Sequence, residues 1–277
     1  MIDRTTGGQL NNVAVHGAKL RRRALVHVRP PGRLSRALQV VAVFAVLLAI
    51  WQAVSPLWSL SVRQVLADPW SVLMYVTHNP ASSLNSLRVT TTEAAIGFAA
   101  GNVLGLLLGV SCHLFRRVGK TVFPFLVVAQ AVPVITLSAI VILWFGNGLS
   151  ARAALAGYLC FFPMTLNVYR GLETVDRHAL KVSRAFGASS TFELLQVKLP
   201  QIIPAIFVAL RAGVVLAMSG AIVGELFGAN AGLGAMLLSG LYYQTSALVW
   251  ASIFLAGAAS LACFGIIAVA QRRLAWW

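Results

Sequence analysis

Charged side chains are scarce in this sequence. Only 10% of its 277 residues are Asp, Glu, Lys or Arg, and only seven of them are acidic. A soluble globular domain carries about 25% charged residues. So few charged groups could not cover the surface of a soluble protein of this length, which excludes an ordinary soluble domain. Since 58% of the residues are hydrophobic, we expect most of the chain to lie in lipid.

The sequence also lacks the residue patterns of metal, redox and nucleotide sites. Its three cysteines, Cys112, Cys160 and Cys263, are widely separated in apolar sequence, and its five histidines are scattered. Neither set has a metal or redox spacing. Gly119-Lys120-Thr121 ends like a P-loop, but Leu114 stands where the first glycine is required. We therefore expect no metal, no cofactor and no nucleotide site on this chain.

The basic residues are numerous but confined to a few clusters. Eight of the 22 Lys and Arg lie within residues 1–36, three within 116–120, five within 170–198, and two at Arg272 and Arg273. A nucleic-acid protein would spread them over a folded polar surface. Here they lie between long apolar stretches, as in loops on one side of a bilayer. The net charge of +15 therefore indicates a membrane protein, and not a nucleic-acid partner.

The apolar stretches predict an all-α integral membrane protein with about six transmembrane helices, since one crossing needs about 20 apolar residues. We expect a basic cytoplasmic N-terminal tail at 1–36, a first span within 37–62 and a transmembrane core at 83–273. Residues 68–87 are predicted to form an external loop with short helices, and the uncharged segment 227–245 to dip into the membrane or cover the outer mouth. The remaining spans are predicted within 88–115, 121–151, 153–169, 203–225 and 247–270, with Pro124 and Pro133 interrupting the second of these.

The charge clusters also predict an orientation. With both termini inside, the internal segments hold eighteen Lys and Arg and the external segments three. Such an excess is the positive-inside signal. We expect a multi-pass protein of the bacterial cytoplasmic membrane with both termini in the cytoplasm.

Glycine recurs at every fourth position of the second span, at Gly101, Gly105 and Gly109. This spacing places three positions without side chains on one helix face, where a neighbouring backbone can approach closely. We interpret the three glycines as a helix-packing face, in preference to a ligand site.

The loop at 170–204 has the pattern of two short helices. Residues 177–186 place Arg177, Lys181 and Arg184 on one face of a helix that Gly187 can end in a left-handed conformation. Ser190 and Glu193 have the spacing of a capping box for a second helix, which we expect Pro200 to end.

These residues resemble the EAA loop of binding-protein-dependent ABC importer permeases. Gly187, Leu199 and Pro200 match the family pattern, and Val197 stands in place of its isoleucine. The Glu-Ala-Ala triplet is replaced by Lys181, Val182 and Ser183.

Further motifs resemble the sulfonate, taurine and nitrate branch of that family, to which permeases for thiamine-pyrimidine or riboflavin-type compounds also belong. The resemblance covers residues 87–273, and its motifs lie at Val132-Pro133, at 143–146, at Phe161-Phe162-Pro163 with Asn167, at 171–176, and at 224–228 followed by 232–234. It implies the type I ABC importer (MetI-like) permease core.

The resemblance implies a mechanical function. The chain would be the permease subunit of an ATP-driven importer of a small solute, with two cytoplasmic ATP-binding subunits, an external solute-binding protein and a second permease copy as partners. The second copy would form a homodimer, with a heterodimer as the alternative. Coupling would run through a short helix at about 187–195, which rests in a groove of the ATPase. The chain itself would catalyse no reaction.

Two sets of candidate site residues follow. The loop would contact the ATPase through Lys181, Arg184, Gly187, Ala188, Ser190, Phe192, Glu193, Leu199 and Pro200. Polar residues within spans are candidates for the translocation pathway because burying them in lipid is costly; these are Glu225, Glu93, Gln130, Asn102 and Ser219. The alternative for the two acids is a position near the outer interface, where they would be hydrated or paired with Arg88 or Arg152.

Two other classes compete with the importer permease. A secondary transporter or channel would work without an ATPase and would show charged or unwound sites in paired repeats, which the sequence lacks. A membrane enzyme would need a nucleophile with its base, or a metal cluster, in the spans. The sequence leaves the substrate open.

Overall fold

The computed structural model describes residues 33–57 and 65–274, and every regular element in these ranges is helical. The predicted tail at 1–36 and the end of the predicted first span therefore lie largely outside the described residues. The chain divides into two compact units, residues 1–53 and 54–277. The first holds nearly all of α1 (Arg33–Val54). The second contains α2 (Pro69–His78), α3 (Pro80–Leu114), α4 (Arg116–Ala129), α5 (Val134–Phe145), α6 (Leu149–Glu173), α7 (Arg177–Ala185), α8 (Ser190–Glu225), α9 (Leu233–Tyr242) and α10 (Ser246–Leu274).

Four of these helices, α3, α6, α8 and α10, are long and apolar enough to cross a membrane. Helices α4 and α5 satisfy the same test only together, and their axes bend by 103° at the break between them. The apolar helical stretch Ala42–Leu57, which joins the end of α1 to a 3-10 turn at Ser55–Leu57, is shorter. The helices thus support an all-α membrane protein with four or five spans, and the count of six stays a prediction.

Of the two prolines predicted to interrupt the third span, only one lies at a break. Pro133 does lie at the break, where it precedes the first residue of α5. Pro124, however, lies inside α4 without ending it, so that prediction was wrong. Proline is tolerated within membrane helices because neighbouring groups can satisfy the carbonyl that it leaves free.

The core of the second unit is formed by α3, α6 and α8, whose backbones touch. A Cβ atom added at Gly101 would lie 2.2 Å from the carbonyl oxygen of Gly157, and one at Gly105 would lie 2.6 Å from that of Phe161. On α8, a Cβ at Gly220 would lie 2.7 Å from the Cα of Ala156. Any side chain at these positions would force the helices apart. This geometry matches the predicted packing face, and Gly97 extends it by one turn.

Helices α2, α9 and α10 pack around one end of this core. Buried residues from α2, α3, α8 and α9 form one apolar cluster, to which α10 adds residues such as Leu248 and Phe254. The indole Nε1 of Trp250 donates a hydrogen bond of 3.0 Å to the carbonyl of Val65. Within the predicted external loop, Asp68 caps α2 by accepting from the Ser71 N–H. Helix α3 already begins at Pro80, so the loop is shorter than predicted.

Candidate functional site

The 170–204 loop begins with a helix that ends as predicted. Helix α7 stops at Ala185, and Gly187 takes a φ of +76°. The N–H of Gly187 donates to the carbonyl of Arg184 at 2.9 Å, and that of Ala188 donates to the carbonyl of Ser183 at 3.1 Å. This pair of bonds is the Schellman closure of a helix C-terminus. It turns the chain sharply into the next helix.

The predicted capping box of Ser190 and Glu193 was wrong. The cap of α8 is Ser189, whose hydroxyl accepts from the Phe192 N–H at 3.2 Å. The Glu193 carboxylate instead binds the guanidinium of Arg184 at two points, with N···O distances of 2.7 and 3.2 Å. Glu193 is buried although the Arg184 side chain is 66% exposed. This contact raises the pKa of Arg184, mainly through the hydrogen bond, and joins the two helices of the loop.

The second helix of the loop does not end at Pro200, contrary to expectation. Helix α8 runs unbroken from Ser190 to Glu225, with a π-helical turn at Glu193–Lys198. In this turn the N–H of Leu199 reaches the carbonyl of Leu194. Pro200 has no N–H to donate, and the wider turn accommodates the missing bond. The predicted short helix at about 187–195 is therefore the first part of a much longer one.

Apolar side chains are exposed along this loop. Phe186 is 88% exposed and Phe192 is 52% exposed. Val182, one helical turn before Phe186, and Leu195, one turn after Phe192, are exposed as well. Of the predicted loop residues, Lys181, Arg184, Gly187, Ser190, Phe192 and Pro200 are exposed, Ala188 and Leu199 are half-buried, and Glu193 is buried. An exposed apolar surface of this kind is typical of a protein-binding site.

The Glu225 carboxylate lies in a fully buried cluster at the other end of α8. Its Oε1 accepts from the Thr90 hydroxyl at 2.6 Å, and its Oε2 accepts from the Gly234 N–H at 2.5 Å. The Thr90 oxygen in turn accepts from the Leu233 N–H at 2.7 Å. We call these groups the Glu225 cluster: Glu225, Thr90 and the N–H groups of Leu233 and Gly234. They join α3, α8 and the first turn of α9.

Glycine is required next to this carboxylate. Gly232 has a φ of +118°, and a Cβ there would lie 2.2 Å from the Glu225 Oε1. A Cβ at Gly234 would lie 2.5 Å from the carbonyl of Ile222. Both glycines allow the start of α9 to close over the carboxylate.

A second group of polar side chains begins one turn further along α3, at the buried Glu93, and extends to the exposed Asn147. Glu93 accepts from the Arg152 guanidinium at 2.9 Å, as in the alternative predicted for this acid. Arg152 also donates to the Asn147 side chain at 3.1 Å, and Asn147 donates to the carbonyl of Gly228 at 2.9 Å. We call these groups the Arg152 cluster: Glu93, Arg152, Asn147 and the Gly228 carbonyl.

The other three pathway candidates lie apart from the two acids. Asn102 is buried beside Gly213 of α8 and donates to the carbonyl of Phe98. Ser219 is exposed and bonds its own helix at the Val215 carbonyl. Gln130 is exposed at the break after α4.

Thr90 and Asn147 were not predicted. Thr90 lies three residues before Glu93, so its helical spacing could have placed both on one face. Asn147 gave no signal beyond a turn residue between two glycines. Among the described residues, no group of three or more His, Cys, Asp or Glu could hold a metal ion.

A bundle of apolar helices in backbone contact, four of them long enough to cross a membrane, defines a polytopic membrane protein. Residues 101–275 match the family model described as the binding-protein-dependent transport system inner membrane component. The chain belongs to this family, which confirms the predicted importer permease identity.

Curated relatives cover most of the chain. It is 33% identical over 211 residues to the formylaminopyrimidine transport permease protein of Halalkalibacterium halodurans, covering 73% of this chain and 80% of the relative. It is 29% identical to a probable ABC transporter permease protein of Haemophilus influenzae, covering 87% and 98%. It is 27% identical to the taurine transport system permease protein of Escherichia coli, covering 86% and 88%.

Solved permease structures share the fold. The MetNI methionine ABC transporter in an inward-facing conformation aligns with a TM-score of 0.54 at 19% identity, covering 74% of this chain and 99% of that chain. An amino acid ABC transporter aligns with a TM-score of 0.56 at 17% identity, covering 73% and 97%. The predicted MetI-like core is thereby confirmed as a fold.

Proposed function

We propose that this chain is the membrane subunit through which a small solute is imported when two ATPase subunits close and move its 170–204 loop together with that of a second permease copy. In this proposal a solute-binding protein delivers the solute from outside, and a second permease copy completes the pathway. Family membership supports the importer role. ATP hydrolysis would take place on the separate subunits, since the sequence offers no nucleotide-binding loop.

The observation that carries the loop assignment is the exposure of Phe186 and Phe192 on a rigid support. The Arg184–Glu193 pair and the Schellman closure at Gly187 fix the backbone on either side of these phenylalanines. An apolar surface held in this way can fill a groove on a partner without a large ordering cost. We infer that this surface lies in the cytoplasm, in agreement with the charge asymmetry of the sequence.

Reconstitution with the ATPase tests the proposal. The chain is co-expressed with the ATPase subunit encoded beside it and purified through a tag on the chain. We expect the two to co-purify and the pair to show ATP-dependent uptake in liposomes supplied with the solute-binding protein. Phe192→Ala should reduce both co-purification and uptake, while Phe125→Ala, which removes a 70% exposed phenylalanine from α4, should change neither. Uptake by the chain alone would contradict the proposal and favour a secondary transporter or channel.

We propose that the imported solute is a sulfonate, taurine or nitrate, or else a thiamine-pyrimidine or riboflavin-type compound. The relative with 33% identity is named as a formylaminopyrimidine transport permease, and another relative is named as a taurine transport permease. A ligand that binds only the folded solute-binding protein raises its melting temperature. Screening that partner against both groups of compounds would identify the substrate class.

The acids Glu225 and Glu93 remain our candidates for the outer part of the pathway. We propose that they act there by fixing the 226–234 segment. Glu225 accepts a buried hydrogen bond from the Gly234 N–H, and Glu93 is linked to the Gly228 carbonyl through Arg152 and Asn147. Asn102, Gln130 and Ser219 remain candidates for the pathway along the second, third and fifth predicted spans.

A further inference from the structure

One helix connects the proposed ATPase contact with the outer part of the molecule. Helix α8 contains 36 residues from Ser190 to Glu225, a length of about 54 Å at 1.5 Å per residue. Its first turn belongs to the 170–204 loop, and its last residue belongs to the Glu225 cluster. A displacement of the loop therefore reaches the cluster without crossing a flexible connection.

The cluster attaches α9 firmly to this helix. The Glu225 carboxylate and the Thr90 hydroxyl accept the first two N–H groups of α9, from Leu233 and Gly234. The first N–H groups of a helix have no partner within the helix, and these two side chains supply one. Thr90 and Glu225 have no exposed surface, and Leu233 is only 1% exposed. Detaching α9 would break both bonds and take from the Leu233 and Gly234 N–H groups the partners that they have in this buried site, which is costly.

The segment before α9 is held at a second point. Asn147 donates to the Gly228 carbonyl, and Arg152 links Asn147 to Glu93. Glu93 lies one turn from Thr90 on α3, so both attachments lead to the same helix. Helix α3 is itself in backbone contact with α6, as α6 is with α8. The two ends of the 226–234 segment are thus fixed to one tightly packed group of helices.

We propose that Thr90 and Glu225 are positioning residues that make α9 move together with α3 and α8, so that α9 is an outer gate driven from the loop and does not open as an independent flap. This inference rests on the proposed importer function and deepens it. Its distinct claim is that the gate depends on the hydrogen bonds of Thr90.

The test uses a matched pair of threonines on α3. Thr90→Val keeps the side-chain shape but removes the oxygen that accepts from Leu233 and the hydroxyl that donates to Glu225. Thr92→Val is the control, because Thr92 is exposed and its hydroxyl donates to the Arg88 carbonyl of its own helix. Thr90→Ser retains the hydroxyl and should behave like the wild type.

In each variant, the accessibility of α9 is measured by labelling a cysteine introduced at its C-terminal end. Tyr242 is 80% exposed, so Tyr242→Cys can be labelled by a membrane-impermeant maleimide from the outer face of the reconstituted complex. The labelling rate is measured without nucleotide and with ATP plus vanadate, after subtracting the labelling of the parent chain with its native cysteines. ATPase activity and uptake are measured on the same samples.

In the otherwise wild-type chain, we expect Tyr242→Cys to be labelled at different rates in the two nucleotide states. The same difference should be seen when Tyr242→Cys is combined with Thr90→Ser or with the Thr92→Val control. Thr90→Val should lose this nucleotide-dependent difference and lose uptake, while it retains ATPase activity. An unchanged nucleotide-dependent difference in Thr90→Val would overturn the inference. Should Thr90→Val not fold, Thr90→Ala is measured in its place, with the same expected loss of the nucleotide-dependent difference and of uptake.

Two outcomes separate the inference from the function on which it rests. If the Tyr242→Cys chain takes up solute with ATP but its labelling never responds to nucleotide, α9 is not the gate and only the inference fails. If no complex of the chain with an ATPase shows ATP-dependent uptake, the proposed function fails and the inference with it.

Discussion

At the scale of single residues, glycine determines how closely the central helices approach. The carbonyls of α6 lie where Cβ atoms of α3 would be, over four successive turns. In lipid there is little hydrophobic gain from bringing two apolar helices together, so van der Waals packing between backbones has to stabilise them. We therefore expect a methyl group in this interface to destabilise the helix packing by more than the higher helix propensity of alanine stabilises the helix.

We expect Gly101→Ala to destabilise the protein by about 1–3 kcal/mol, the usual range for overpacking. The measurement is the thermal unfolding of the detergent-solubilised chain. Gly257→Ala is the matched control, since a Cβ there has nothing within 4 Å, and alanine in an exposed helix is favoured over glycine by about 1 kcal/mol. Equal melting temperatures of Gly101→Ala and wild type would show that the helices are not in contact at this position.

The sequence predicted the glycine face and offered Arg152 as a partner for Glu93, but it did not predict the partners of Glu225. Periodicity alone placed Gly101, Gly105 and Gly109 on one helix face. Glu225 was recognised as an intramembrane acid because such residues are rare. Its partners could not be predicted, since Thr90 lies 135 residues away and a backbone N–H group leaves no mark in a sequence.

At the scale of elements, the loop combines a local motif with a contact between helices. The end of α7 was predictable because glycine at that position relieves the strain of a positive φ. The true cap was not, because Ser189, Ser190 and Thr191 are all able to cap a helix. The choice among them depends on where Arg184 holds Glu193, which is a contact between two helices.

We expect Gly187→Ala to weaken assembly with the ATPase about fivefold. A Cβ at Gly187 meets nothing within 4 Å, so the cost is conformational, about 1 kcal/mol for a left-handed residue, and 1.4 kcal/mol corresponds to tenfold in affinity. The measurement is the dissociation constant of the ATPase from the solubilised chain. Gly187→Asn should have a smaller effect because asparagine adopts this conformation more readily.

Gly148→Ala is the control for this change. Its Cβ also meets nothing within 4 Å, but its φ of −143° is open to any residue. The assignment of the loop as the ATPase contact would be contradicted if Gly187→Ala and Gly148→Ala bound the ATPase equally well.

At the scale of the whole molecule, the alternation of helices and charged segments constrains the topology. Helices α3, α6, α8 and α10 with the bent pair α4 and α5 give five candidate crossings. If α1 also crosses, the number is even and both termini lie on one side. Hydropathy identified most of these segments from sequence, because the bilayer imposes a length on every crossing. The 103° bend between α4 and α5 could not be predicted, since a proline marks a break without fixing its angle.

Cysteine labelling in intact cells tests this topology, using single cysteines introduced at three exposed positions, Lys120, Ser190 and Thr245, and near both termini. We expect Thr245→Cys to react with a membrane-impermeant maleimide, and Lys120→Cys and Ser190→Cys to react only after the membrane is opened, because the basic clusters hold their segments inside. Leu10→Cys and Trp276→Cys should both be protected, as six spans require. Reaction of Leu10→Cys in intact cells with protection of Trp276→Cys would instead establish five spans, with α1 not crossing the membrane and the N-terminus outside.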